Sequence, residues 1–532
     1  MKHNRLVKGS VLLLALLLVL AGCGNAANDT NNEGNTNSNA NANAGQNDGA
    51  AQEGQERVLT IANPADIQSF DFHNNNTTVS ESVLVNMYDY LIQRGADMEL
   101  EPNLATSWER VDDTTWAFEL RDDVTFHNGD PFTAADVKYT LERIATDEAL
   151  KQHSLYNNIE EVTIIDDTHV EIHTINPDPI LLNRLSRMGA GMLPSKYIEE
   201  NGIDAFLAAP VGTGPYKYGS WAKDDRVELV KNDDYFGGEP QWDKVVFRAI
   251  PETSTRVSEL LTGGVDIIAN VPSTDIPRID LSEGTSIVSS PIQRVLQVIL
   301  RHTEGSPTAD PKVREALDLA IDKQGIVDSI AGGAGTVTRT SVTPGNFGAD
   351  PSLYEQTLYD ADRAKQLMEE AGYSADNPAV VSLSAQSQYK EYAEVVAAML
   401  TDAYFEVNLE ILESSAFSEK LSSRTFGDLF MIGIGNSLFD ASNNYNRFTV
   451  ERNTGETDYD NSRVEELLQD ALQNMDEASR TEQYQEVQQI FAEERPAVYL
   501  FQMEGIYGKR DAVNFDPRID EMFYAEEITS AE

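Results

Sequence analysis

One cysteine in 532 residues limits how this chain can hold itself together. Cys23 has no second cysteine to pair with, so no internal disulfide is possible. Any folded body must rest on buried apolar surface and hydrogen bonds, and the chain is long enough to bury several cores. The residues before the cysteine are just as informative. Lys2, Arg5 and Lys8 precede an apolar run from Val11 to Leu20, which ends Leu20-Ala21-Gly22-Cys23. A basic start, an apolar middle and small residues before the cut are the marks of an export signal. The run is far shorter than the ~20 residues needed to span a bilayer. Residues 1–22 therefore read as a signal peptide.

A cysteine directly after Leu-Ala-Gly resembles the bacterial lipobox, in which the thiol is acylated and becomes the first residue. That implies a lipid anchor at Cys23 on the outer face of a membrane. Residues 24–56 are almost entirely Asn, Ala, Gly, Asp, Gln and Glu. Such a stretch cannot bury enough surface to order itself and reads as a tether, with a reach on the order of 30 Å. The rest of the chain has no second apolar run of spanning length. With 88 acidic against 40 basic residues, the net charge is −48. Nucleic acid is therefore not an expected partner, because binding phosphates requires clustered Lys and Arg.

From Arg57 onward strand and helix patterns alternate. Val58–Ala62 reads as a strand and Ser80–Leu91 as a helix. Trp116–Arg121 alternates as a half-buried strand, and Val124 and Phe126 continue a second one. Thr133 with Asp136 forms a capping-box-like helix start. Glu161–Thr174 reads as a strand pair, and Arg226–Val230, Val245–Ile250 and Arg294–Leu300 as further strands. Asp310-Pro311 and Asp360 start helices, and Gly372 sits where a helix ends. Val380–Leu383, Tyr389–Leu400 and Phe405–Leu412 read strand, helix, strand. Phe426–Gly435 is a strand, Val464–Glu494 a helical region broken near Asp476, and Pro496–Phe501 a strand. This mixture implies α/β or α+β with more than one lobe.

The chemical motifs are weak. His169 and His173 flank Glu171, but four residues of strand span about 13 Å, too far for one metal ion. Gly212-Thr213-Gly214 runs into Pro215-Tyr216, so it lacks the helix start of a dinucleotide site. Ser387-Gln388-Tyr389-Lys390 matches Ser-x-x-Lys without the partner motifs of penicillin-binding enzymes. Trp108, Trp116, Phe118 and Phe126 could stack on a sugar, although strand spacing favours core packing. Neither a cofactor nor a catalytic set is expected.

The stretch Pro102–Tyr139 is more specific. It reads PNLATSWE, then DDTTWAFELR, then VTFHNGDPFTAADVKY. This resembles the signature of family 5 solute-binding proteins of peptide and nickel ABC importers. Gly212-Thr-Gly-Pro-Tyr216, Val313-Arg-Glu-Ala-Leu317 with Ala320-Ile-Asp-Lys323, and Asp360–Tyr373 resemble further family segments in the right order. The resemblance covers about residues 57–515. It implies an α/β, periplasmic-binding-protein-like fold of the cluster C type, with two lobes and a hinge of two crossings. Lobe I would comprise 57–85, 161–290 and 496–532, with an extra domain at 86–160; lobe II would be 291–495.

The resemblance also implies the function: a monomeric, membrane-anchored solute-binding component of an ABC importer. It would close on a small solute and present it to permease subunits. Peptide is the expected solute, with a nickel chelate or oligosaccharide as the alternative; an exported Ser-x-x-Lys hydrolase is the remaining class. Ligand would lie between an N-terminal segment, with Asp66, Ile67 and Gln68, and a second-lobe loop. That loop supplies Ile434, Gly435, Asn436, Ser437, Phe439 and Asp440. The family aspartate that pairs with a peptide's ammonium falls on Ser437, and Asp440 is the nearby substitute. Arg294, Arg301 and Arg447 could face an anionic group.

Overall fold

The computed structural model describes residues 56–356 and 358–531, except for the side chain of Glu451. Cys23 and the segment 24–55 lie outside the described residues.

Strand β1 (Val58–Asn63) opens the ordered chain. β2 (Ile92–Arg94) and β3 (Leu100–Pro102) form a hairpin. β4 (Ala105–Arg110), β5 (Thr115–Leu120), β6 (Ile159–Asp166) and β7 (His169–Thr174) make a separate antiparallel sheet in the order β4-β5-β7-β6. The chain then returns beside β1 with β8 (Tyr216–Ala222), β9 (Arg226–Lys231), β10 (Lys244–Ala249) and β11 (Ile267–Ile268). β12 (Thr285–Leu300) follows, then β13 (Gly335–Val337), β14 (Ala379–Gln386), β15 (Phe405–Leu412) and β16 (Leu429–Gly435). β17 (Ala497–Arg510) comes back, and β18 (Val513–Asn514) pairs with β19 (Thr529–Ser530).

The large sheet is mixed, in the order β15-β14-β16-β12-β17-β11-β1-β10-β9-β8, with β13 on the free edge of β17. β12 and β17 are its axis. At about 3.3 Å per residue, the 16 residues of β12 extend roughly 50 Å. That length lets one strand serve two cores. Near its end, alternate side chains serve opposite faces: Val295 and Ile299 pack with Phe430 and Tyr499. Leu296, Val298 and Leu300 pack with Leu383, Met431 and Leu500. At the other end of the sheet, Leu59, Ile61, Val245 and Phe247 build a third core, and Ala62, Val257, Leu260 and Ile268 a fourth. The small sheet has its own core, where Phe118, Leu120, Val162 and Ile172 meet Val137, Leu141 and Ile144. Burial on both faces at the centre of the large sheet explains why the ends of β12 and β17 and the start of β16 read as apolar runs.

Two local expectations need correction. The helix expected over Ser80–Leu91 ends at Leu84. The carbonyls of Asn86 and Met87 accept from the amides of Tyr216 and Gly214 instead of continuing the helix. Val124 and Phe126 do not form a strand: Thr125 makes one isolated bridge to Pro131 around a turn in which Gly129 has φ of 87°. The capping devices are present. Thr133 and Asp136 close a capping box, and Asp310, Asp360 and Asp476 each accept an amide at a helix start.

The Gly212–Tyr216 segment is a packing device. A Cβ on Gly212 would lie 1.9 Å from the Met87 carbonyl oxygen, so only glycine lets the two backbones touch. His127 clamps the same segment. Its Nδ1 accepts from the Gly212 amide at 3.1 Å, which leaves Nε2 to donate to the Gly214 carbonyl at 3.0 Å.

Candidate functional site

Where β12 and β17 pass from one set of cores to the other, the surface sinks into a cleft of about 940 Å3. That is near the upper end for a small-molecule site. One wall holds Asn63 at the end of β1, Asp66 and Gln68 just beyond it, and Asn270 and Ser273 beyond β11. β1 runs parallel to β10 and β11. The wall therefore forms at carboxyl ends of parallel strands, where open α/β sheets place their ligands. The facing wall holds Gln388, Tyr389 and Tyr392 at the start of the helix Lys390–Asp402. Arg294 of β12, Glu504 of β17 and Glu521 complete the lining. At the rim, the Ser273 hydroxyl donates to the Ile330 carbonyl at 3.2 Å.

The charged lining residues are Asp66, Arg294, Glu504 and Glu521. Arg294 Nη2 lies 3.1 Å from Glu521 Oε2, and this carboxylate pushes the guanidinium pKa up. Asp66 is saturated: Oδ1 accepts from the Ile67 amide, and Oδ2 from Trp221 Nε1 and the Asp224 amide at 2.8–2.9 Å. Tyr389 is buried, and desolvation raises its hydroxyl pKa. Its Oη would lie 2.3 Å from a Cβ on Gly433, so the last residues of β16 run directly behind the tyrosine wall.

β16 has an open side here. It pairs with β12 along its whole length, from Leu429 to Gly435, but with β14 only at Leu429–Met431. Residues 432–435 thus have β12 on one side and no strand partner on the other among the described residues. An extended chain could add at that edge.

The residues expected from the sequence divide into three groups. Asp66 and Gln68 line the cleft, and Ile67 is buried beneath them. Ile434 and Gly435 are on the open edge of β16, with Gly435 packed over the Arg294 guanidinium. Neither these two residues nor the loop beyond them lines the cleft. Asn436 is buried and holds the loop together through Asn444 Oδ1 and the Asp440 carbonyl. Ser437 is exposed at the tip. Phe439 is buried with φ of 55°, and the Arg94 guanidinium stacks on its ring at 4.4 Å. Asp440 is 1% exposed and receives two hydrogen bonds from Arg480, at 2.7 and 2.8 Å. Its charge is already neutralised.

Other sequence candidates have structural partners. Arg301 pairs with Asp458 and Arg447 with Glu456. Ser387 Oγ donates to Glu413 while Lys390 pairs with Glu394, so Ser-x-x-Lys forms no dyad. His169 and His173 stand on β7, bonded to Asp166 and Thr115. Phe118 and Phe126 are core, with Trp108 and Trp116 packed against them. Glu504 and Glu521 were not anticipated. A usable signal existed: Glu504 is the only charged residue in the stretch Ala497–Gly508.

Residues 99–456 match the model of bacterial extracellular solute-binding proteins, family 5 (middle region). The chain belongs to this family. Among curated family 5 relatives, the glutathione-binding protein GsiB of Escherichia coli K12 is 28% identical over 462 residues, covering 83% of this chain and 88% of that protein. The oligopeptide-binding protein AppA of Bacillus subtilis, solved with a nonapeptide, superposes with a TM-score of 0.74 at 22% identity. The alignment covers 90% of this chain and all of AppA. NikZ of Campylobacter jejuni, solved with Ni(L-His), gives a TM-score of 0.74 at 22% identity, covering 89% and 99%. The α/β, periplasmic-binding-protein-like architecture is thus shared with these family 5 relatives, which are solute-binding proteins. Among the described residues no helix is long and apolar enough to cross a membrane.

Proposed function

We propose that this family 5 protein is the solute-capturing component of an ABC importer, and that its solute is a peptide. The carrying observation is the cleft of about 940 Å3, with the open edge of β16 running behind its Tyr389 wall. A peptide laid along residues 432–435 gains main-chain hydrogen bonds without regard to side chains. The lobes are residues 57–85, 161–290 and 496–532, with an extra domain at 86–160, and residues 291–495. They close by a hinge where the β12–β17 register breaks, between Pro291 and Val295 opposite Glu504 and Gln502. Closure offers a joined surface to the permease. Acylated Cys23 anchors the protein at the outer membrane face, and the chain works as a monomer without catalysis.

Asp66, Gln68, Ile434 and Gly435 contact solute in this reading, whereas Ile67, Asn436, Phe439 and Asp440 shape the walls, and Ser437 stays at the tip. The test is a thermal-shift screen with four arms: a short-peptide library, glutathione, a nickel–histidine chelate and oligosaccharides. A peptide at 100 times its Kd stabilises the protein by about 2.7 kcal/mol. A shift with a non-peptide arm and none with peptides refutes the peptide assignment.

A further inference from the structure

We propose that the second-lobe loop 436–440 is a latch that holds the closed cleft shut, with Arg94 and Asn183 as its receptor on the first lobe. This deepens the capture reading above and rests on its two-lobe closure. The loop reaches the other lobe at two points. The Leu438 carbonyl accepts from Asn183 Nδ2 at 2.7 Å, and Asn183 stands on the short helix Leu181–Leu185. The Phe439 ring lies 4.4 Å from the guanidinium carbon of Arg94, the last residue of β2 in the extra domain. Leu438 and Phe439 are each 3% exposed and Arg94 is 8% exposed, so the contact is sealed from water.

Both sides are built for this meeting. Arg94 Nη1 donates to the Met98 carbonyl at 2.6 Å, but Nε and Nη2 have no hydrogen-bond partner among the described residues. A desolvated guanidinium with donors left over is stabilised by an aromatic face, and closure of the second lobe supplies one. Phe439 has φ of 55°, a conformation that is unfavourable for a bulky residue and persists where the surroundings enforce it. They do: the Phe347 amide donates to the Phe439 carbonyl at 2.9 Å, and the Asn436 amide to the Gln293 carbonyl at 2.8 Å. A loop already held in its docking shape loses little freedom on contact. Arg94, Asn183, Leu438 and Phe439 are all outside the cleft lining. The latch therefore slows the escape of solute without touching it. Solute enters while the cleft is open, so the rate of association is independent of the latch.

The experiment compares wild type with Asn183→Ala, Phe439→Leu, Arg94→Met and the double variant Arg94→Met/Phe439→Leu. Each is loaded with a defined short-peptide library. Native mass spectrometry after dilution follows release, stopped-flow mixing gives association, and small-angle X-ray scattering with and without the library reads closure. Each single variant should release peptides about 5- to 30-fold faster with association unchanged, the worth of one hydrogen bond or one desolvated cation–π pair. The double variant should fall short of the product of its two singles, because both break the same contact. Unliganded melting checks folding, and Asn183→Ala alters only a partly exposed side chain. Release at the wild-type rate from folded Asn183→Ala and Phe439→Leu overturns the latch and leaves the capture reading standing. Peptide binding without compaction in scattering removes closure, and the latch with it. If the library does not bind wild type, the peptide reading fails and the rates are measured with glutathione and the nickel–histidine chelate. Faster release of either from the variants then supports the latch, and equal rates or no binding overturn it.

Discussion

Asp440→Asn separates a structural carboxylate from a ligand-binding one. Asp440 and Arg480 are 1% and 3% exposed, and two hydrogen bonds of 2.7 and 2.8 Å join them. Asp440 Oδ1 also accepts from the Ser442 amide at 3.0 Å. Arg480 is further enclosed by the rings of Phe347 and Tyr484, 4.6 and 5.1 Å from its guanidinium carbon. Removing the carboxylate charge leaves a guanidinium in this enclosure with no counter-ion, which costs about 3–5 kcal/mol. The asparagine oxygen retains one hydrogen bond, so the lower end of that range is expected. Arg480→Met should cost a similar amount, and the double variant less than the sum, because it buries no unpaired charge. Urea unfolding gives the stabilities, and titration of the folded variant with peptide gives affinity. The expected outcome is lost stability with unchanged affinity per folded molecule. Unchanged stability together with lost peptide affinity would show that Asp440 faces solute.

Gly212→Ala drives a methyl group into the Met87 carbonyl and should destabilise by at least about 1–3 kcal/mol in urea unfolding; wild-type stability would disprove the close approach. Burial pulls His127 and His302 down to about 4. The folded state then binds fewer protons than the unfolded state between about pH 4 and 6.5. Stability should therefore fall as pH drops through that window, by on the order of 1–3 kcal/mol per histidine, and urea midpoints unchanged across it would contradict this. Ser437→Asp adds a carboxylate at an exposed tip outside the cleft lining and should leave the ratio of binding between free and N-acetylated peptides unchanged; a rise would show that the loop meets a peptide's ammonium. Cys23→Ser should release the protein from cells or block its processing without altering solute affinity, and continued membrane retention would rule out the lipid anchor.

Legibility in the sequence followed the range of the interactions involved. Capping signals at Thr133, Asp310, Asp360 and Asp476 act within three residues of themselves, and the structure has them all. The helix pattern over Ser80–Leu91 stops at Leu84, and the carbonyls of Asn86 and Met87 are captured by Tyr216 and Gly214, more than a hundred residues away. No local pattern records that capture. Asp440 illustrates the same limit at the site. An acid in the right loop reads as a ligand group until Arg480, 40 positions later, is seen to hold it. The apolar pattern of the last long strand ends at Phe501, whereas β17 continues to Arg510 and carries Glu504 into the cleft lining. The Gly212–Tyr216 motif, legible from the sequence, is the segment whose glycine lets its backbone touch Met87.

Native mass spectrometry of the protein purified without denaturation tests the central claim most directly, since a closed cleft retains its solute. The account predicts a bound mass, released on unfolding, that fragments as a peptide. A released metal chelate or sugar would contradict it.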